Sequence, residues 1–274
     1  MFAALKILTD VLVYRLRRLE MANLIAAVAI MLALRLPWVE VGVRSAFALL
    51  LNLLAYLTND YYDVERDLAG GRDQKKTRFL AEHRPAALGA QLGLAVMLAA
   101  IALVHDLGLL FALVGGAGLC WLYSAKLKRT AYFDVLAMAL WGATMPLAGV
   151  PLGNSTGLWL LGELALFSAA FELIQVARDS DEDRAAGIVT TGVTLGARRC
   201  LLASRVAMVL AALYAIGVLH RFLGIGVLVA ALLPPGDDIP RYWNRVRLTL
   251  GIVWLATLAW VATMGGLAGL ASLG

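Results

Sequence analysis

Hydrophobic residues in this chain come in long blocks, not in alternation. Apolar runs recur near residues 20–37, 42–59, 85–104, 107–124, 131–151, 157–177, 200–218, 222–235 and 249–272. A helix crossing a bilayer core needs about 20 mostly apolar residues, and most of these runs have that length. They are rich in Leu and Ala and lack period-two patterning, so the strands of a membrane barrel are not expected. The eighth run is the shortest and ends in Pro234-Pro235. Composition agrees: 61% of the chain is hydrophobic and 16% is charged, against roughly 45–50% and about 25% in soluble proteins. So little polar surface cannot cover so much apolar mass in water, and disorder, a collagen-like chain and a disulfide scaffold are excluded as well. Cys120 and Cys200 lie in or beside apolar runs and read as reduced, core-like thiols. The expected fold is an all-α polytopic membrane protein of about nine transmembrane helices, with residues 1–274 as one domain.

The basic residues orient this chain. Positive charge collects on the cytoplasmic side of a membrane protein. Lys and Arg concentrate before the first run (Lys6, Arg15, Arg17, Arg18) and after every even-numbered run, so that 20 of the 24 fall on one side. Arg221 is the main exception. This places the N-terminus and the even-numbered loops in the cytoplasm. Residues 1–19 carry their apolar stretch before their charges, the reverse of a signal peptide. They are expected to form an amphipathic helix on the inner leaflet. The net charge of +5 then concerns orientation and anionic ligands, not nucleic acid.

Two acidic clusters follow even-numbered runs. The second run enters Asn59-Asp60-Tyr61-Tyr62-Asp63-Val64-Glu65-Arg66-Asp67. Asn59, Asp63 and Asp67 are spaced i, i+4, i+8 and line up on one helix face. The sixth run enters Arg178-Asp179-Ser180-Asp181-Glu182-Asp183-Arg184, where Asp179 and Asp183 again share a face. Like charges crowded on one face repel, and nothing in local folding rewards that; a multivalent cation does. Mg²⁺ is a hard ion held by one or two carboxylates plus substrate phosphates, and two carboxylate groups can hold it over a diphosphate, where it stabilises a leaving pyrophosphate. Arg72, Lys75, Lys76 and Arg78 follow the first cluster, Lys126, Lys128 and Arg129 lie in the next cytoplasmic loop, and Arg184 follows the second cluster. The recurrence of an acidic motif about four runs on also hints at a duplicated four-helix unit.

These residues carry a resemblance. NDYYDVERD (59–67) resembles the first aspartate-rich motif, NDxxDxxxD, of the UbiA superfamily of intramembrane prenyltransferases. ARDSDEDRAAG (177–187), with Thr190 and Thr191 nearby, resembles the second, and LYSAKLKR (122–129) resembles the Tyr-Ser-x-x-x-Lys stretch after the fourth span. The three fall in the family's order and cover nearly the whole chain. The resemblance implies a bundle around a central cavity, capped by cytoplasmic loops, and a polyprenyl diphosphate whose head binds Mg²⁺ between the motifs. By residue, it implies Asn59, Asp60, Asp63 and Asp67 in the first motif and Asp179 and Asp183 in the second, with Tyr123 and Lys128 (or Lys126) supporting the diphosphate. The resemblance implies Asp60, Asp63, Asp67, Asp179 and Asp183 as the metal set, and Asp60, Asp63, Asp179, Lys128 and Tyr123 as the catalytic set. Asn59, Arg72, Lys76, Arg78, Lys126 and Arg184 complete the binding set. Two departures stand out. The family's stretch after the first motif is matched only loosely by Thr77-Arg78-Phe79, with Arg84-Pro85 as competitor, and the residue ahead of the second motif is Gln175.

Polar residues within membrane runs are functional candidates by default. Asn52 lies on nearly the same face as Asn59, and Glu172 and Gln175 share the face of Asp179; all three either line the cavity or, for Asn52 and Gln175, hydrogen-bond between helices. Asp134 reads as a helix-start acid favoured by the dipole, and Arg35 as a snorkelling side chain. The expected reaction is Mg²⁺-dependent prenyl transfer from a polyprenyl diphosphate to a lipophilic acceptor, an aromatic compound or quinone precursor, through an allylic cation. The rivals are a membrane terpene cyclase on the same site, a phosphoribosyl-transferring relative, a CDP-alcohol phosphotransferase, whose accompanying Gly and Ala-Arg spacing is absent here, and a cation transporter, disfavoured because the carboxylates cluster on one face. Compact loops and the absence of a transit peptide suit a prokaryotic plasma membrane, with the active site toward the cytoplasm.

Overall fold

The structure, a computed structural model, describes residues 2–18, 20–70, 74–236 and 238–264. Among them every regular element is helical. In chain order these are α1 (Phe2–Arg17), α2 (Ala22–Ala33), α3 (Trp38–Ala69), α4 (Gln74–Glu82), α5 (Arg84–His105), α6 (Gly108–Ala125), α7 (Phe133–Thr144), α8 (Ser155–Ala185), α9 (Thr191–Leu195), α10 (Ala197–Leu219), α11 (Arg221–Leu232) and α12 (Ile239–Met264). A helix stands at each of the nine predicted places. Six of them (α3, α5, α6, α8, α10, α12) are long and apolar enough to cross a bilayer, and α2, α11 and the stretch Phe133–Gly149 are shorter apolar helices. At 1.5 Å per residue a 12-residue helix such as α2 or α11 covers only about 18 Å, against about 30 Å of hydrocarbon. The runs predicted at 20–37 and 222–235 are therefore shorter as helices than as apolar sequence.

The opposite holds for α3 and α8. With 32 and 31 residues they reach about 48 and 46 Å, well beyond the hydrocarbon. Their last turns are thus polar sequence still wound as helix, and those turns carry the two aspartate motifs. Apolar side chains on outer helix faces, such as Val96, Val104 and Leu248, remain exposed, as a lipid-facing surface requires.

The chain divides into two compact units. The first comprises Met1–Val28, Trp38–Ala125 and Thr144–Pro151. Its core is built from Phe47, Leu51, Leu57, Leu98, Leu109 and Met145, all buried. α6 loosens into a π turn at Leu113–Ala117, where Gly116 lies against Met145 and Leu51 with no room for a side chain. α1 packs on α3, α4 and α5 through Ile7 and Val11. The segment expected on the inner leaflet is a helix docked on protein: Phe2, Leu5 and Leu16 stay exposed, while the face carrying Ile7 and Val11 is covered.

The second unit comprises Ala29–Pro37, Lys126–Ala143 and Leu152–Gly274. α8 is its central helix and packs against α9, α10 and α12. Small residues allow the close approaches expected of membrane helices: an added methyl at Gly142 would meet Ser168, and one at Gly162 would meet the Tyr214 hydroxyl. Asn154 caps α8, its side chain accepting from the Gly157 N–H at 2.8 Å. Arg35, expected to snorkel, donates through its guanidinium to the Ala262 carbonyl at 2.5 Å.

Candidate active site

The first motif occupies the last three turns of α3. Acidic residues are disfavoured near a helix C-terminus, where the dipole is negative, so Asp67 in the final turn gains nothing from its own helix. Asp60 and Asp63 are buried, at 5% and 6% exposure, which raises the cost of their charge further. Basic groups compensate. The Arg15 guanidinium donates to Asp60 Oδ1 at 2.5 Å and to Glu20 at 2.6 Å. The Lys76 ammonium, from α4, donates to Asp60 Oδ2 at 2.7 Å. Asp63 pairs with Arg66 at 3.3 Å. Burial alone would lower the pKa of Arg15, but Asp60 and Glu20 outweigh it and raise that pKa, so the charge is held. Aromatic rings face both cations: Arg15 lies 4.5 Å from the Tyr56 ring centre and Lys76 lies 4.1 Å from that of Tyr14.

This arrangement sorts the basic residues predicted to serve the first motif. Lys76 reaches it. Arg84, the competitor to Arg78, is engaged elsewhere, donating to Glu65 at 3.1 Å and stacking over Tyr61. Arg78 and Lys75 are exposed on α4, and Arg72 lies outside the described residues. Asn59 accepts a long bond, 3.5 Å, from Ser124 at the end of α6, next to the half-buried Tyr123. Asn52 lies two turns earlier, fully buried; its amide N–H donates to the Ala48 carbonyl at 2.8 Å, and its Oδ1 has no hydrogen-bond donor among the described residues. Arg15 was not legible as a site residue. Its signal is positional: Ile7, Val11 and Arg15 are spaced i, i+4, i+8, which puts one cation at the end of a buried stripe.

The second motif occupies the last turns of α8. Asp179 is gripped by its neighbour Arg178 through two bonds of 2.6 and 2.8 Å. Arg184 donates to Asp181 at 2.8 Å, so here it serves the exposed acid of the motif. Glu172 is buried and accepts from Gln175 at 3.2 Å. The helix closes on Gly187, whose φ of +69° lies in the left-handed region. That closure lets the Ile188 N–H donate to the Asp183 carbonyl at 2.9 Å and the Gly187 N–H to the Arg184 carbonyl at 3.2 Å, the Schellman pattern. The Asp183 carboxylate accepts from the Thr190 hydroxyl at 3.1 Å. Lys126 is exposed, and Lys128 sits part-buried in the 3₁₀ turn Leu127–Arg129. Asp134 opens α7 as expected of a helix-start acid, but it is buried rather than solvated, and it binds Thr191.

The donor set of both motifs is carboxylate oxygen alone, the chemistry of a hard cation rather than of a thiolate- or imidazole-seeking metal. Among the described residues no three Asp, Glu, His or Cys side chains form a self-sufficient cage.

The sequence pattern of the UbiA prenyltransferase family matches residues 22–236. No curated protein matches the chain in sequence. Solved structures match in fold. A UbiA homologue from Archaeoglobus fulgidus bound to DMAPP and Mg²⁺ aligns with a TM-score of 0.64 and 16% identity over 89% of this chain and 96% of its own. A structure concerned with digeranylgeranylglyceryl phosphate synthase aligns with a TM-score of 0.64 and 14% identity, covering 95% and 99%. The Archaeoglobus fulgidus homologue bound to GPP and Mg²⁺ aligns at 0.57 and 15%, also covering 95% and 99%.

Proposed function

The chain belongs to the UbiA prenyltransferase family, and from that premise we propose that it transfers a prenyl group from a polyprenyl diphosphate to a lipophilic acceptor. The observation that carries the reading is Asp60: a buried carboxylate at the polar end of a membrane helix, with a cation on each oxygen. Structures alike in fold hold DMAPP or GPP with Mg²⁺, which supports the same donor class and metal here. The family match runs through segments of both compact units, which supports one catalytic domain in residues 1–274.

Asp60, Asp63 and Asp67 on α3, and Asp179 and Asp183 on α8, are the proposed Mg²⁺ ligands. When bound, the metal supplies Lewis-acid stabilisation of the pyrophosphate leaving group. Arg15, Lys76, Arg78 and Lys128 add fixed positive charge for the diphosphate oxygens, with Arg72, Lys126 and Arg184 as further basic partners, and Asn59 and Tyr123 orient it. Such preorganised charge acts without reorganisation as the C1–O bond breaks and its electron pair leaves with pyrophosphate. Apolar walls keep water from the allylic cation, and Asn52, Glu172 and Gln175 help position the acceptor. The acceptor, an aromatic compound or quinone precursor, then forms the new bond to C1 and loses a proton. The reaction takes place in the plasma membrane of a prokaryote, with the diphosphate held on the cytoplasmic side.

The test is pyrophosphate release by the full chain in lipid, with Mg²⁺, several prenyl diphosphates and candidate acceptors. Asp63→Ala and Asp183→Ala are each expected to lower the rate about 100-fold or more. Wild-type rates in both overturn the proposal. A cyclised hydrocarbon formed without any acceptor assigns the chain to terpene cyclases instead.

A further inference from the structure

We infer that Asp134, which lies outside both aspartate motifs, is a positioning residue for Asp183: it fixes the turn from which Thr190 holds the Asp183 carboxylate. The inference rests on the reading of Asp183 as a Mg²⁺ ligand.

Asp134 is 1% exposed. A buried carboxylate is expensive unless its lone pairs are filled, and here three donors fill them. The Thr191 N–H donates to Oδ2 at 2.7 Å, the Thr191 hydroxyl donates to Oδ1, and the Val135 N–H donates to Oδ1 at 2.8 Å. The Thr191 oxygen in turn accepts from the Tyr132 N–H at 2.6 Å. Tyr132 has a φ of +70°, a left-handed conformation that a bulky side chain keeps only where its surroundings hold it. Residues 132–135 and Thr191 therefore form a closed clasp between the start of α7 and the start of α9. The clasp presses α9 onto α8: at Gly192 an added methyl would lie 1.9 Å from the Val176 carbonyl oxygen, so α9 has no latitude there.

Thr190 is the residue next to the clasp. It caps α9 by accepting from the Val193 N–H at 3.3 Å, and it has a single hydroxyl proton, which goes to Asp183 Oδ2 at 3.1 Å. The Asp183 backbone is pinned separately by the Schellman closure. Thr190 thus holds one oxygen of the carboxylate, and Asp134 holds the residue next to Thr190. Only a carboxylate can accept from both the N–H and the O–H of Thr191 on separate oxygens; an asparagine would turn its NH₂ toward one of those donors. This is the arrangement by which outer partners orient metal-binding groups.

The experiment measures Mg²⁺ affinity without turnover, by calorimetric titration of the full chain in nanodiscs holding an unreactive prenyl thiolodiphosphate, beside the Mg²⁺ dependence of pyrophosphate release. Asp134→Asn, Thr191→Val and Thr190→Val are each expected to raise the half-saturating Mg²⁺ concentration about tenfold, with the rate at saturating Mg²⁺ within about threefold of wild type. Thr191→Ser, which keeps both donors, is expected to match wild type. Thr190→Val leaves the clasp intact, so it reports on the last link even where Asp134→Asn fails to fold. Unchanged Mg²⁺ affinity in Thr190→Val overturns the inference, as does a folded Asp134→Asn with wild-type affinity. If Asp183→Ala also leaves affinity unchanged, the reading of Asp183 as a metal ligand fails. If Asp183→Ala weakens Mg²⁺ and Thr190→Val does not, only the positioning role fails.

Discussion

Arg15 Nη2 lies 2.5 Å from Asp60 Oδ1, across 45 residues of sequence. The pair ties the docked N-terminal helix α1 to the end of α3, and it is shielded, with side-chain exposures of 13% and 6%. Removing that cation leaves the buried carboxylate paired with Lys76. Arg15→Ala is therefore expected to cost about 1–3 kcal/mol of stability, read as a lower unfolding midpoint in detergent. It is also expected to slow pyrophosphate release by about tenfold or more. Arg15→Lys keeps the charge but not the fork that reaches Asp60 and Glu20 together, so it falls between the two. Wild-type stability and rate in Arg15→Ala would show that the contact is dispensable.

Gly187 closes α8 in a conformation that L side chains avoid. Gly187→Ala is expected to cost about 1–2 kcal/mol, and Gly187→Asn less, because Asn tolerates the left-handed region. The closure holds the Asp183 carbonyl, so both variants are expected to weaken Mg²⁺ dependence in the same order as their stabilities. Thermal unfolding and Mg²⁺ titration of the two variants side by side check this.

Glu163 sits within α8, fully buried, and neither carboxylate oxygen has a hydrogen-bond partner among the described residues. A buried polar group left without hydrogen bonds costs about 1–3 kcal/mol, which an apolar group of similar size does not incur. Glu163→Leu is therefore expected to unfold at a higher temperature with pyrophosphate release unchanged. A loss of activity at higher stability would instead give this carboxylate a task in the reaction.

Arg44, at the other end of α3, is 2% exposed. It donates to Glu40 at 2.9 Å, to Asp106 and to the Ala148 carbonyl at 3.3 Å. Arg44→Ala removes the shared cation of two part-exposed acids and is expected to cost about 1–3 kcal/mol. The turn between α5 and α6 adds a pH dependence. Burial would raise the pKa of Asp106, but the Gly108 N–H and Arg44 outweigh it and take that pKa below its ordinary 3.8. A depressed carboxylate contributes stability above its unfolded pKa and loses it as pH falls through the folded value. The unfolding midpoint is therefore expected to drop below about pH 4 through this group, and Asp106→Asn to flatten that drop. An unchanged acid limb in Asp106→Asn would refute the assignment.

Two kinds of information were legible along the chain. Helices at nine places followed from apolar runs, and the alignment of Asp63 with Asp67, and of Asp179 with Asp183, followed from helical spacing, because both are properties of neighbours a few residues apart. What holds the polar end of α3 was not legible, since the partners of Asp60, Arg15 and Lys76, lie 45 and 16 residues away in the sequence. The cation on Asp60 was not legible either: Arg15, Arg17 and Arg18 look alike in sequence, and only docking of the Ile7–Val11 face selects Arg15. Asp134 read as a helix-start acid, and its partner Thr191, 57 residues away, was not legible.

Hydrophobic blocks and the spacing of the two acidic motifs determined by themselves that this is a helical membrane protein with carboxylates gathered at helix ends, because those signals are local and additive. Tertiary packing decided which base meets which acid, and which buried carboxylate is satisfied and which is left bare. Those outcomes depend on chain segments tens of residues apart sharing a small, dry volume, where a hydrogen bond made or missed outweighs any preference written in the neighbouring sequence.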